Sequence, residues 1–247
     1  MKTIAIIPAR YASTRFPGKP LADIFGKSMI RRVYEQVSKT PELQGVVVAT
    51  DDERIALHVS DFGGMVLMTS PDCLSGTDRC AEALEKLDIQ ADVVINVQGD
   101  EPFIEPQQIR EICALMENSG ADIGTLCKKI DSAERLFDPN VVKVVKDQQG
   151  KALYFSRQAI PYVRDRERNL WMEGTSFYRH IGMYAYRTEV LKALSRLPAG
   201  RLELAENLEQ LRWLEAGYGL FVAETEFDSP GVDTPGDIQA IEEFLNR

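Results

Sequence analysis

The strongest constraint on this chain is a set of short, uniformly apolar runs separated by stretches of helical periodicity. Thr3–Pro8 (TIAIIP), Gly45–Thr50 (GVVVAT), Met65–Thr69 and Asp92–Gln98 (DVVINVQ) are mostly aliphatic, with β-branched residues prominent. Runs of this kind belong to strands buried on both faces. Between them lie a helical stretch at Ser28–Ser38, a second helix capped by Asp51–Asp52 and ending near Gly63–Gly64, and a third at Asp78–Leu87, preceded by Ser75–Thr77. Pro106 opens a fourth helix, which runs to about Asn118, because proline suits a first helical turn. This β-α-β-α-β-α-β order predicts an α/β fold with a mostly parallel sheet, helices on both faces, and ligands at the carboxyl ends of the strands.

The second half changes character. Val141–Asp147, Ala152–Phe155 and His180–Arg187 read as strands, the first two joined by a hairpin at Gln148–Gln149–Gly150. A helix from Leu204 to Ala216 places Leu204, Leu208, Leu211 and Leu214 on one side as core, with Glu206, Glu209 and Gln210 on another. Gly219–Glu224 is a last strand, and a final helix follows Gly231–Pro235. Trp171 and Trp213 are expected to be packing residues. A length of 247 residues is enough for a core without staples, and the expectation is a single domain. Within it, 1–130 is the nucleotide-binding half, 131–200 a β-rich lobe and 201–247 a closing segment. Cys73, Cys80, Cys113 and Cys127 have no C-x-x-C spacing and read as reduced, buried thiols. With only His58 and His180 to add, a His/Cys zinc site is not expected.

The net charge is -9, which argues against general nucleic-acid or anionic-membrane binding. No apolar run approaches the ~20 residues of a membrane span. The start, MKTIAIIPAR, is interrupted by Pro8 and Arg10, so a mature cytoplasmic N-terminus is expected. The charge is unevenly distributed: residues 1–40 carry eight Lys/Arg against two Asp/Glu, and residues 203–247 carry two against eleven.

Three segments carry the chemistry. Residues 8–20 (PARYASTRFPGKP) follow the first strand and combine Arg10, Arg15 and Lys19 with Ser13, Thr14 and Gly18, the ingredients of a polyphosphate cradle. It is not a P-loop, since Lys19 is followed by Pro20. Gln98-Gly99-Asp100-Glu101-Pro102 follows the fourth strand, where a carboxylate can hold Mg²⁺ against phosphates or simply form a turn. Asp233, in Gly231-Val232-Asp233-Thr234-Pro235, can join Asp100 on a metal or cap the last helix.

IPARYASTRFPGKPL, VVVATDD, LSGTDR, NVQGDEP, FSRQAIP, RHIGMYAYR, LEQLR and GVDTP occur in this order along nearly the whole chain. Together they resemble the 3-deoxy-manno-octulosonate cytidylyltransferase (CMP-Kdo synthetase) family. That resemblance implies a Rossmann-like nucleotide-diphospho-sugar transferase fold with a mixed, mostly parallel sheet and a smaller β-rich dimerisation lobe. It implies the reaction CTP + Kdo = CMP-Kdo + diphosphate, with Mg²⁺, in a cytoplasmic homodimer serving lipopolysaccharide synthesis.

Residue roles follow from the matching motifs. Arg10 and Lys19 match the family's phosphate-binding cations, with Arg15 a third. Asp100 and Asp233 match its metal carboxylates, making Arg10, Lys19, Asp100 and Asp233 the expected catalytic set. Ser75, Gly76 and Thr77 match the nucleoside site. Gln98, Arg157, His180 and Tyr184 match the sugar-acid pocket, with Glu206, Glu209 and Gln210 on the matching helix. Residues 197–203 depart from the family's pattern. Two other readings stay open: a cytidylyltransferase for another sugar acid (8-amino-Kdo or a sialic acid), and a GT-A glycosyltransferase. A non-enzymatic nucleotide sensor is a third, of a different class.

Overall fold

The computed structural model describes residues 1–12 and 16–238. In chain order the elements are β1 (Thr3–Ala9), β2 (Asp23–Ile24), β3 (Lys27–Ser28), α1 (Met29–Val37), β4 (Leu43–Thr50), α2 (Glu53–Asp61), β5 (Met65–Met68), α3 (Gly76–Lys86), β6 (Val93–Asn96) and α4 (Pro106–Asn118). They continue with β7 (Ile123–Lys129), α5 (Ala133–Phe137), β8 (Lys143–Lys146), β9 (Ala152–Ser156), β10 (Tyr178–Arg187), α6 (Thr188–Leu194), α7 (Arg201–Glu206), α8 (Gln210–Glu215) and β11 (Leu220–Glu224). The chain divides into two compact units, Met1–Cys113 with Phe227–Arg247, and Ala114–Glu226.

In the first unit β1 pairs in parallel with β4 on one side and β6 on the other, and β4 pairs in parallel with β5. Ile4, Ile6 and Ile7 of β1 are fully buried, as are Val47 and Val48 of β4 and Val93 to Ile95 of β6, which explains their lack of polar alternation. The chain runs outward from β1 to β4 and β5, then returns to the other side of β1. The loops after β1 and β6 therefore part in opposite directions, and this reversal opens a crevice at their carboxyl ends. Helix starts follow local chemistry. Ser28 caps α1, Asp52 caps α2, and Ser75 forms a capping box with Asp78 at α3.

In the second unit β7 pairs in parallel with β11 and antiparallel with β10; β8 pairs antiparallel with β10 and, through the expected hairpin, with β9. The fold class is thus α/β with mixed, mostly parallel pairing. β7 has no counterpart in the sequence reading. The single helix expected at 204–216 is a correction: Asn207 adopts a left-handed conformation (φ 53°), which ends α7 and separates it from α8. Leu204 is consequently 72% exposed rather than core, while Leu208 and Leu211 are buried. Trp171 and Trp213 are buried, as expected, and all four cysteines are free. No described helix is long and apolar enough to cross a membrane.

Candidate active site

The crevice holds a cavity of about 270 Å³ whose lining includes Arg10, Lys19, Ser75, Gly76, Gln98 and Asp100. Two glycines permit close approaches around it. A Cβ on Gly99 would lie 2.9 Å from the Pro8 carbonyl oxygen, so the β6 loop can carry only glycine there. Gly18 has a left-handed φ of 72° and faces the Tyr11 ring, which a Cβ would meet at 3.1 Å. The same ring carries the Arg54 guanidinium, 3.3 Å from the ring centroid and held in a fork by Asp52 at 2.9 and 2.6 Å. Gly18 N–H donates to the Tyr11 carbonyl at 3.0 Å, closing the loop immediately before Lys19.

Lys19 is the centre of the site. Its Nζ donates to Asp100 Oδ2 at 2.7 Å, to the Val232 carbonyl at 2.8 Å and to Asp233 Oδ1 at 3.4 Å. Asp100 and Asp233, distant in sequence, thus converge on one ammonium. The return of the C-terminal segment has an apolar cause: Val232 is fully buried with Ile24 and Met29, flanked by Phe16, Phe103 and Ile238. Val232 N–H also donates to the Asp100 carbonyl at 2.9 Å. At the start of the helical turn 235–238, Asp237 accepts from the Asp233 and Thr234 N–H groups at 2.8 and 2.7 Å. Ser75 and Gly76 line the cavity, Thr77 is buried in α3, and Arg15 lies outside the described residues with Ser13 and Thr14.

The residues present fit a hard divalent cation. Mg²⁺ takes one or two carboxylates and completes its shell from phosphates and water. Asp100 and Asp233 offer that pair, and among the described residues no cluster of three or more His, Cys, Asp and Glu forms a closed protein cage.

The remaining expected residues lie in the second unit. Arg157 donates from its backbone N–H to Glu206 Oε2 at 2.9 Å, and from its guanidinium to the carbonyls of Glu206, Asn207 and Pro139 at 2.7, 3.3 and 3.1 Å. Glu206 Oε1 accepts from the Ser156 hydroxyl at 2.7 Å, so both its oxygens are engaged within the fold. Gln210 is buried, and Glu209 is half-buried. The Tyr184 phenol is held well above its usual pKa by burial and, secondarily, by the charge of Glu209. His180 stacks edge-on against Phe155 with its Nε2 2.9 Å from Thr125 Oγ1, and burial lowers its pKa to about 3. It is therefore neutral at pH 7 and suited to hydrogen bonding rather than to carrying charge.

Sequence reasoning missed Lys143. It is fully buried, and its Nζ is wrapped by the carbonyls of Asp138 (2.9 Å), Val141 (2.5 Å) and Arg157. It also missed Arg79, which is buried, lines the cavity and bonds Thr69 and Asp51.

A parallel sheet with a strand-order reversal, a cation-bearing loop after its first strand and two converging carboxylates define a nucleotidyltransferase class of site. The cytidylyltransferase family matches residues 4–225, and the chain belongs to it. It is 53% identical over 236 residues to a 3-deoxy-manno-octulosonate cytidylyltransferase of Cytophaga hutchinsonii, covering 95% of this chain and 94% of that one. It is 51% identical over 253 residues to the enzyme of that name from Geobacter metallireducens, covering 100% and 99%. A solved CMP:2-keto-3-deoxy-manno-octonic acid synthetase complexed with CTP superposes with a TM-score of 0.91 at 42% identity, covering 100% of this chain and 99% of that one. A 4-diphosphocytidyl-2C-methyl-D-erythritol synthase from Anaerococcus prevotii, 16% identical with a TM-score of 0.62 and covering 100% and 99%, shares the fold.

Proposed function

We propose that this chain transfers the cytidylyl group of CTP to 3-deoxy-manno-octulosonate, yielding CMP-Kdo and diphosphate, and so supplies lipopolysaccharide synthesis. The observation that carries the reading is the convergence of Lys19, Asp100 and Asp233 in the crevice after β1 and β6. The same proposal includes Mg²⁺ as cofactor, a homodimer as the assembly and the cytoplasm as the compartment.

In the reaction the anomeric hydroxyl oxygen of the sugar forms a bond to the α-phosphorus. The bond from that phosphorus to the bridging oxygen breaks, diphosphate leaves and the hydroxyl proton is released. Chemistry of this kind asks the protein for positioning and charge stabilisation more than for a covalent partner. Arg10, Arg15 and Lys19 bind the β- and γ-phosphates and stabilise the charge of the departing diphosphate. Ser75, Gly76 and Thr77 hold the nucleoside. Asp100 and Asp233 would hold Mg²⁺, which when bound neutralises phosphate charge and lowers the pKa of the sugar hydroxyl. Without metal, Lys19 and two carboxylates sum to one negative charge, which disfavours a triphosphate; a divalent cation reverses that sign.

Arg157 serves the sugar carboxylate with the N–H groups its three carbonyl bonds leave over. His180 and Tyr184 provide neutral hydrogen-bonding groups, with Gln98, Glu206, Glu209 and Gln210 completing the sugar set.

Diphosphate release with CTP and Kdo, each omitted in turn, tests the reading. Release is expected only when both are present. Equal turnover with a sialic acid or 8-amino-Kdo would overturn the choice of sugar, and formation of a nucleoside diphosphate would overturn the reaction type.

A further inference from the structure

Residues 69–75 join β5 to α3 and form one wall of the cavity through Cys73, Leu74 and Ser75. Leu74 is 89% exposed, so the wall is not held by burial of its own apolar side chain. Its shape comes from hydrogen bonds made by α3. Glu82 Oε1 accepts from Ser70 N–H at 2.8 Å, and Oε2 accepts from Cys73 Sγ at 3.1 Å. Lys86, one turn on, braces the same carboxylate at 2.6 Å. Arg79, one turn back, donates to Thr69 Oγ1 at 2.5 Å and pairs with Asp51 at 3.2 Å. The Ser75–Asp78 capping box fixes the end where the loop enters the helix.

We infer that Glu82 is a positioning residue for the nucleotide: it sets the cavity wall through Ser70 and Cys73 without itself lining the cavity. The inference rests on the reading of this cavity as the CTP site. Its chemistry is specific, because Glu82 faces three donors at once: an amide N–H, a thiol S–H and an ammonium. Only an acceptor-only group satisfies all of them. An amide of the same shape has one acceptor oxygen and must turn its NH₂ toward one of the donors, so at least one loop bond is lost. The ionisation states agree with the geometry. The Lys86 hydrogen bond leads in lowering Glu82 to about 2, and burial followed by the Glu82 bond raises the Cys73 thiol to about 11. At pH 7 the thiol is always donor and the carboxylate always acceptor.

Glu82→Gln tests this through two readouts. The first is the rate at which iodoacetamide alkylates Cys73, followed by peptide mass spectrometry with and without CTP. The second is the steady-state constants for CTP and Kdo. In the wild type, CTP is expected to slow Cys73 alkylation. In Glu82→Gln, alkylation is expected to rise about tenfold as the thiol loses its charged acceptor. KM for CTP rises about fivefold, the scale of one hydrogen bond, while kcat and KM for Kdo stay within about twofold.

Lys86→Ala, which keeps the carboxylate and both loop bonds, is expected to behave as the wild type and controls for helix destabilisation. Absence of CTP protection in the wild type would overturn the nucleotide assignment itself. Protection with an unchanged KM for CTP in Glu82→Gln would overturn the positioning role alone. So would equal rises in both Michaelis constants, or a Lys86→Ala variant that matches Glu82→Gln.

Discussion

Two lysines define contrasting regions of this molecule. Lys19 is bound by two partly exposed carboxylates and one carbonyl. Lys143 is fully buried and bound by three backbone carbonyls. Side-chain carboxylates can exchange an ammonium for a metal and let it turn to a phosphate. Backbone carbonyls of a folded loop cannot move away without local unfolding. Lys19 therefore belongs to a region that can be reorganised by ligands, and Lys143 to one that must stay as it is. Burial lowers the Lys143 pKa, so its charge is tolerated only because every donor is met.

The sharpest way to break the contrast is at the carboxylates. Asp100→Ala or Asp233→Ala is expected to reduce diphosphate release by at least about 10³-fold, since metal-borne charge stabilisation is worth several kcal/mol. The thermal midpoint should barely fall. Near-normal turnover in either variant would remove the two-carboxylate site.

Lys19→Ala should cost on the order of 10²–10³ in kcat/KM for CTP, the scale of one preorganised charge at a reacting phosphate. Unfolding in urea should show a stability change below about 1 kcal/mol, because the ion pairs it loses are partly exposed. Unchanged kinetics would make Lys19 a structural clamp like Lys143.

Lys143→Met should show the reverse balance. Its removal leaves buried carbonyls without their donor, at about 3 kcal/mol of unfolding free energy. An unfolding midpoint equal to that of the wild type would show that water replaces the ammonium, and the region would no longer count as fixed.

The same contrast explains what was legible beforehand. Uniformly apolar strands, proline and serine helix starts, and the cation-rich loop after β1 all act through local sequence, so β1, β4, β5, β6, α1 to α4 and the outline of the site could be read directly. β7 was missed because IGTLCKK mixes Gly124 and Thr125 into a short run without a clear period, although both neighbours pair with it. The break at Asn207 was missed because leucine spacing continues across a single left-handed residue. Lys143 and Glu82 carry no local signal at all. A lysine in KVVK looks like the exposed end of a strand until the fold brings the carbonyls of Asp138 and Arg157 to it. Glu82 looks like a solvated helix residue until the loop returns over it.

His180 gives the finest test, because it lies in the fixed region and its titration should affect stability. Its ring is held neutral by burial, with a folded pKa of about 3 against an ordinary value of 6.5. Between those values the unfolded chain binds a proton that the native state does not, so the free energy of unfolding falls as pH falls through 6.5 toward 3. From pH 7 to pH 5 the wild type should lose about 2 kcal/mol through this group. The window lies above the ordinary carboxylate range, so depressed acids such as Glu82 and Glu203 add little to it. His180→Gln keeps a partner for Thr125 and removes the titration. Urea unfolding at the two pH values should therefore show a flatter dependence in the variant. Equal losses in both proteins would mean that the imidazole accepts its proton in the folded state, and that the region around Thr125 and Phe155 opens more readily than its packing implies.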